Sequence, residues 1–66
     1  MKNYEIRLPY MRSDTLAAAF PEMEAVAMGA ETTVLIGQLH DQADLYALLA
    51  RIAEMGLDVT EVRQSD

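Results

Sequence analysis

From Asn3 to Tyr10 the chain alternates strictly, with Tyr4, Ile6, Leu8 and Tyr10 at one parity and Asn3, Glu5, Arg7 and Pro9 at the other. A period of two predicts a strand with one buried face. Pro9 has no amide to donate, so pairing on that side is expected to end near it or to belong to an edge. After this the period lengthens. Ser13 or Asp14 is placed to cap a short helix through Thr15, Leu16, Ala17, Ala18, Ala19 and Phe20, which Pro21 forbids from continuing cleanly. Met23 to Met28 reads as a strand, and Gly29-Ala30-Glu31 as a turn into the next one.

The second half is patterned more sharply. Thr32 to Leu39 is rich in β-branched and aliphatic residues and stops at His40-Asp41. Asp41 is the expected N-cap of a helix, and Asp44, three residues on, occupies the place of the reciprocal partner in a capping box. Leu45, Leu48, Leu49, Ile52 and Met55 then recur at spacings of three and four, which predicts one apolar stripe on a helix of about fifteen residues. Gly56 can close that helix in the left-handed conformation, and Leu57 can fold back on its last turn. A final strand is expected from Leu57 to Gln64, with Leu57 and Val59 on one face and Val62 on the other.

The resulting order predicts an α+β domain of the ferredoxin-like, split βαβ kind (β-α-β-β-α-β). Right-handed crossovers would place both helices on one face of a four-stranded antiparallel sheet, with the first and last strands in the middle. A competing reading drops the first helix and leaves a hairpin followed by a β-α-β unit. Sixty-six residues are expected to form one domain, 1–66, without a linker. The charged amino end and the lack of a long apolar run argue against a secretory signal or a membrane span, and so for a soluble, cytoplasmic chain. Zero cysteines exclude a disulfide framework and a thiolate metal site. Domains of this size bury only about 60% of their unfolded surface, and a partner chain is one way to gain more.

The hydrophobic pattern points to such a partner. A sheet with helices on one face should be polar on the other, yet Val34 and Ile36 point one way while Leu35 and Leu39 point the other. If Val34 and Ile36 meet the helices, Leu35 and Leu39 form an outer apolar patch flanked by Glu5 and Arg7 of the first strand. The expected partner is therefore a second copy of the chain, giving a homodimer in which Glu5 of one protomer meets Arg7 of the other at the edge of the contact. A larger protein partner is the alternative occupant. Eleven acidic against five basic residues give a net charge of −6, with the bases scattered. That balance argues against nucleic acid and against anionic membranes.

One constellation bears on chemistry. His40 beside Asp41 and Asp44 has the residue types of a metal site or an acid-base group. The helix amino end already accounts for both carboxylates as caps, and adjacent side chains at a strand end diverge. No catalytic, cofactor-binding or metal-binding residue is therefore assigned, and no cofactor is expected. Met23, Met28 and Met55 read as core filling.

Thr33-Val34-Leu35-Ile36-Gly37, Asp41-Gln42-Ala43, Leu48-Leu49-Ala50-Arg51-Ile52 and Gly56-Leu57, with the opening Tyr4-Glu5-Ile6-Arg7, resemble a group of small uncharacterised bacterial proteins of about this length. The chain departs from that group at Gln38, where proline is common, and at Tyr46, where histidine often follows the leucine. The resemblance implies the β-α-β second half and carries no site residues. Function is expected to be that of a non-catalytic interaction module. The alternative is a small-molecule-binding or minor catalytic domain with a pocket near Tyr10 or His40.

Overall fold

A computed structural model describes residues 1–65. The chain order is β1 (Lys2–Leu8), α1 (Asp14–Ala19), β2 (Glu24–Ala27), β3 (Thr33–Leu39), α2 (Gln42–Glu54) and β4 (Glu61–Ser65). The strands form one antiparallel sheet in the spatial order β2-β3-β1-β4. This corrects the expectation that the first and last strands lie in the middle: β1 and β3 are central, and β4 is an edge. The reason lies in the side chains. A central strand is covered laterally by two neighbours and tolerates apolar residues on both faces, as β3 does with Val34, Leu35 and Ile36. By contrast, β4 reads Glu-Val-Arg-Gln-Ser and is mostly exposed.

Register decides which residues share a face. Leu35 stands between Ile6 and Ala25, Thr33 opposite Leu8, and Val62 opposite Ile6. That face meets both helices, where Tyr4, Ile6, Leu8, Leu35 and Leu39 join Leu16, Phe20, Met23, Leu45, Leu48 and Ile52 in one buried cluster. A second expectation is thereby reversed. Leu35 and Leu39 are core residues, 0% and 7% exposed, and it is Val34 and Ile36 that share the open face with Glu5 and Arg7. A run of consecutive apolar residues carries no parity of its own, and a slip of one residue exchanges the faces.

The local signals at the helix ends act as read. Ser13 Oγ accepts from the Leu16 amide at 3.0 Å and caps α1. Asp41 Oδ1 accepts from the Asp44 amide at 3.0 Å, while Asp44 Oδ2 accepts from the amide of His40 at 3.2 Å, one residue further out than a standard capping box. At the other end of α2, Gly56 adopts φ 76°. Its amide donates to Ala53 O at 3.0 Å and that of Leu57 to Ile52 O at 3.1 Å, the paired bonds of a Schellman closure. The buried stripe is Leu45, Leu48 and Ile52; Leu49 is half-buried at its margin and Met55, 49% exposed, lies outside it. The last strand starts four residues later than its hydrophobicity suggests, because Leu57 and Val59 pack on the core before pairing begins.

Gly37 faces the core side of β3. A Cβ there would approach Met23 Sδ to 2.5 Å, so the absent side chain is what lets Met23 fold over the sheet behind Pro21.

Candidate functional site

The open face of the sheet is built from two cross-strand rows. One runs Val26, Val34, Arg7, Glu61 and the next Glu24, Ile36, Glu5, Arg63, each set side by side in register from β2 to β4. Directly opposed residues in such rows are the interacting pairs of a sheet. Arg7 Nε lies 3.3 Å from Glu61 Oε1, and Arg63 donates to Glu61 Oε2 at 3.0 Å. The β1 and β4 half of this face is thus charged, with Arg7, Glu61 and Arg63 paired among themselves, whereas the β2 and β3 half is apolar apart from Glu24.

Val34 is only 2% exposed although no helix lies over it. Its register neighbours Val26 and Arg7 cover it, the aliphatic stem of an arginine being well suited to lie along such a side chain. Ile36 is 37% exposed between Glu24 and Glu5, and Met28, 48% exposed, follows β2. Of the expected interface set, the structure brings Glu5 and Arg7 to this face and removes Leu35 and Leu39 from it. Val26 and Ile36 take their place.

The two residues offered as the polar group of a pocket lie at opposite ends of the sheet. His40 follows β3 at the end where Leu39 pairs with Lys2, and Tyr10 lies beyond the opposite end, where Leu8 pairs with Thr33. A seven-residue strand separates them by about 20 Å. His40 borders a groove of about 320 Å³ with Glu22, Asp44, Leu48 and Arg51. Its charged groups already have partners: Asp44 accepts from the His40 backbone amide, and Arg51 holds Glu22. Among the described residues no group of three or more histidine, cysteine, aspartate or glutamate side chains is placed to hold a metal ion.

Arg51 is the hub of that groove. Its guanidinium sits 5.3 Å from the centroid of the Phe20 ring, donates to Ala19 O at 2.7 Å and pairs with Glu22. A free carbonyl at the end of α1 is satisfied in this way from α2. The hydrogen bond from Arg51 holds the Glu22 carboxyl below its ordinary value of 4.5, against a smaller opposing effect of burial. A folded-state value below the unfolded one gives stability that is present above about 4.5 and lost as pH falls through the folded value. Both side chains are over two-fifths exposed, so the contribution is small. Glu22→Gln is expected to lower stability slightly near neutral pH and to converge with the unmodified protein in acid, as read by urea denaturation at several pH values. A constant difference across that range would refute the pairing.

Tyr10 has a structural role that its position in the sequence does not announce. Its carbonyl accepts from the fully buried Thr33 Oγ1 at 2.8 Å, and its hydroxyl accepts from the Asp58 amide at 2.8 Å. One residue therefore joins the loop after β1 to the start of β3 and to the loop before β4. No buried side-chain nitrogen or oxygen among the described residues lacks a partner. Nor is any helix among them long and apolar enough to cross a membrane.

No curated protein and no solved structure matches the chain. The α+β architecture, with four antiparallel strands and two helices, spans the segment that a family model recognises: residues 3–63 match the model described as a domain of unknown function (DUF8691), and the chain belongs to that family.

Proposed function

We propose that the chain is a non-catalytic interaction module that binds a second copy of itself through the open face of its sheet. The observation that carries this reading is the apolar patch of Val26 and Ile36 over the buried Val34 on the face without helices, ringed by Glu5, Arg7 and Glu24. A patch rimmed by polar groups has the layout of a protein contact. Charge favours a second copy as the occupant. The two rows of the face hold three acids (Glu5, Glu24, Glu61) and two bases (Arg7, Arg63), a balance of −1, which leaves −5 of the total −6 to the rest of the chain. Two identical acidic chains repel least where this face meets its copy. Across a twofold axis Arg7 of one protomer can reach the unpaired acids of the other, an isologous contact.

The scaffold under this face is read as ferredoxin-like. The β-α-β-β-α-β order, the central β1 and β3, and the packing of both helices on one face support that assignment. A cytoplasmic setting suits a chain without cysteine.

Sedimentation equilibrium at micromolar concentration tests the proposal. Ile36→Glu adds a buried charge to each side of the contact and is expected to halve the mass at least, with an unchanged circular dichroism spectrum. An unmodified protein that sediments as a 7.3 kDa monomer would overturn it.

A further inference from the structure

The two edges of the sheet are finished differently. At one, β2 is only four residues long, and Arg12 Nε donates to its Ala25 carbonyl at 2.9 Å. Short length and a charged side chain laid on the backbone are standard ways of blocking an edge. At the other, β4 contains no proline, and the side chain in its middle on the helix-bearing side is Val62, which stands beside Ile6 yet remains 41% exposed. The helices do not reach out over it. On α2, Tyr46 is exposed and Leu49 half-buried, and neither lines the Glu22 groove.

We infer that β4 pairs antiparallel with β4 of a second chain about a twofold axis through Val62, joining two sheets into one of eight strands. The sequence Glu61-Val62-Arg63 is complementary to itself in that register and in no neighbouring one. With Val62 opposite Val62, Glu61 of each protomer faces Arg63 of the other, twice, and Thr60 faces Gln64. Centring the axis on Glu61 or on Arg63 sets like charges against each other. A slip of one residue would require the helices of the two protomers to lie on opposite sides of the sheet. Opposite charges directly across an antiparallel pair stabilise it, and like charges destabilise it. Glu61 and Arg63 already lie together on one strand, 3.0 Å apart, so the pair and its symmetry copy form an alternating square of charge. The two Val62 side chains meet on the helix-bearing side and lose their exposed surface there. The backbone of this edge lies outside the apolar patch, although Glu61 and Arg63 project on the open face, and the twofold axis stands normal to the sheet rather than within it.

The experiment is done in the Ile36→Glu background, which removes association through the face and leaves the edge. In that background the protein is expected to sediment as a dimer. Adding Arg63→Glu, or separately Glu61→Arg, places like charges across the axis twice and is expected to weaken that dimer by at least about tenfold, a change worth about 1.4 kcal/mol. Mixing the two charge variants restores opposite charges at both positions. The mixture is expected to regain the dimer, which a variant that had failed to fold would not do. A monomer at all concentrations in the Ile36→Glu background, with the unmodified protein dimeric, overturns the edge pairing and leaves the face contact standing. Dimers of equal mass with and without Ile36→Glu overturn the face contact and support the edge. Charge variants that dimerise undiminished overturn the register.

Discussion

Phe20→Ala is expected to cost about 3–5 kcal/mol, the range for removing a buried aromatic ring. The loss is comparable with the whole stability of a chain this size, since roughly 0.05–0.15 kcal/mol per residue gives about 3–10 kcal/mol. Phe20 is 0% exposed and among the largest fully buried side chains. It also occupies a junction. Its amide donates to Ala17 O at 3.2 Å and its carbonyl accepts from the Met23 amide at 3.0 Å, so it ends α1 and begins the path into β2. Above its ring lies the Arg51 guanidinium, which reaches both Ala19 and Glu22. Truncation leaves a cavity in the core and removes the surface on which that clasp rests. Chemical denaturation of both proteins measures the difference; a loss below about 1 kcal/mol would show that the six-residue helix contributes little to the core.

The clasp explains why α1 is the faintest element in the sequence. Six residues with Leu16 as their only large buried side chain do not make a stable helix by propensity. Beyond the Ser13 cap and the burial of Leu16, α1 is completed by a residue 32 positions away, whose side chain takes up a carbonyl at its carboxyl end. Nothing in the local pattern announces that contact, nor the bond from the Asp58 amide to the Tyr10 hydroxyl, 48 positions apart. Local signals were legible for the converse reason. Ser13, Asp41 and Gly56 act on amides and carbonyls within a turn of themselves, so residue type and spacing suffice. The candidate site falls between these cases. That both faces of β3 are apolar can be read from Val34, Leu35 and Ile36, but which of them faces outward depends on pairing with Ile6 and Ala25. The position of β4 at the edge, like the register of Glu61 and Arg63, is likewise a property of the assembled sheet.

The phase of the long helix can be tested in the same terms. Leu48→Ala is expected to cost about 2–5 kcal/mol, and Leu49→Ala clearly less. Adjacent helical residues point about 100° apart, so the two cannot share the centre of one stripe. Leu48 is 2% exposed and stands between Leu45 and Ile52 on the buried side, whereas Leu49 only packs against the margin of the core. Removing its side chain leaves a dent open to solvent rather than a closed cavity, and water fills a dent at little cost. The comparison is internal, because both variants lose the same atoms and the same helix propensity, and the difference isolates burial. Reversible urea melts of the two variants, with equal slopes, give that difference directly. If Leu49→Ala proved the costlier change, α2 would be rotated by one residue about its axis, with Leu49 at the centre of the buried stripe and Leu48 at its margin.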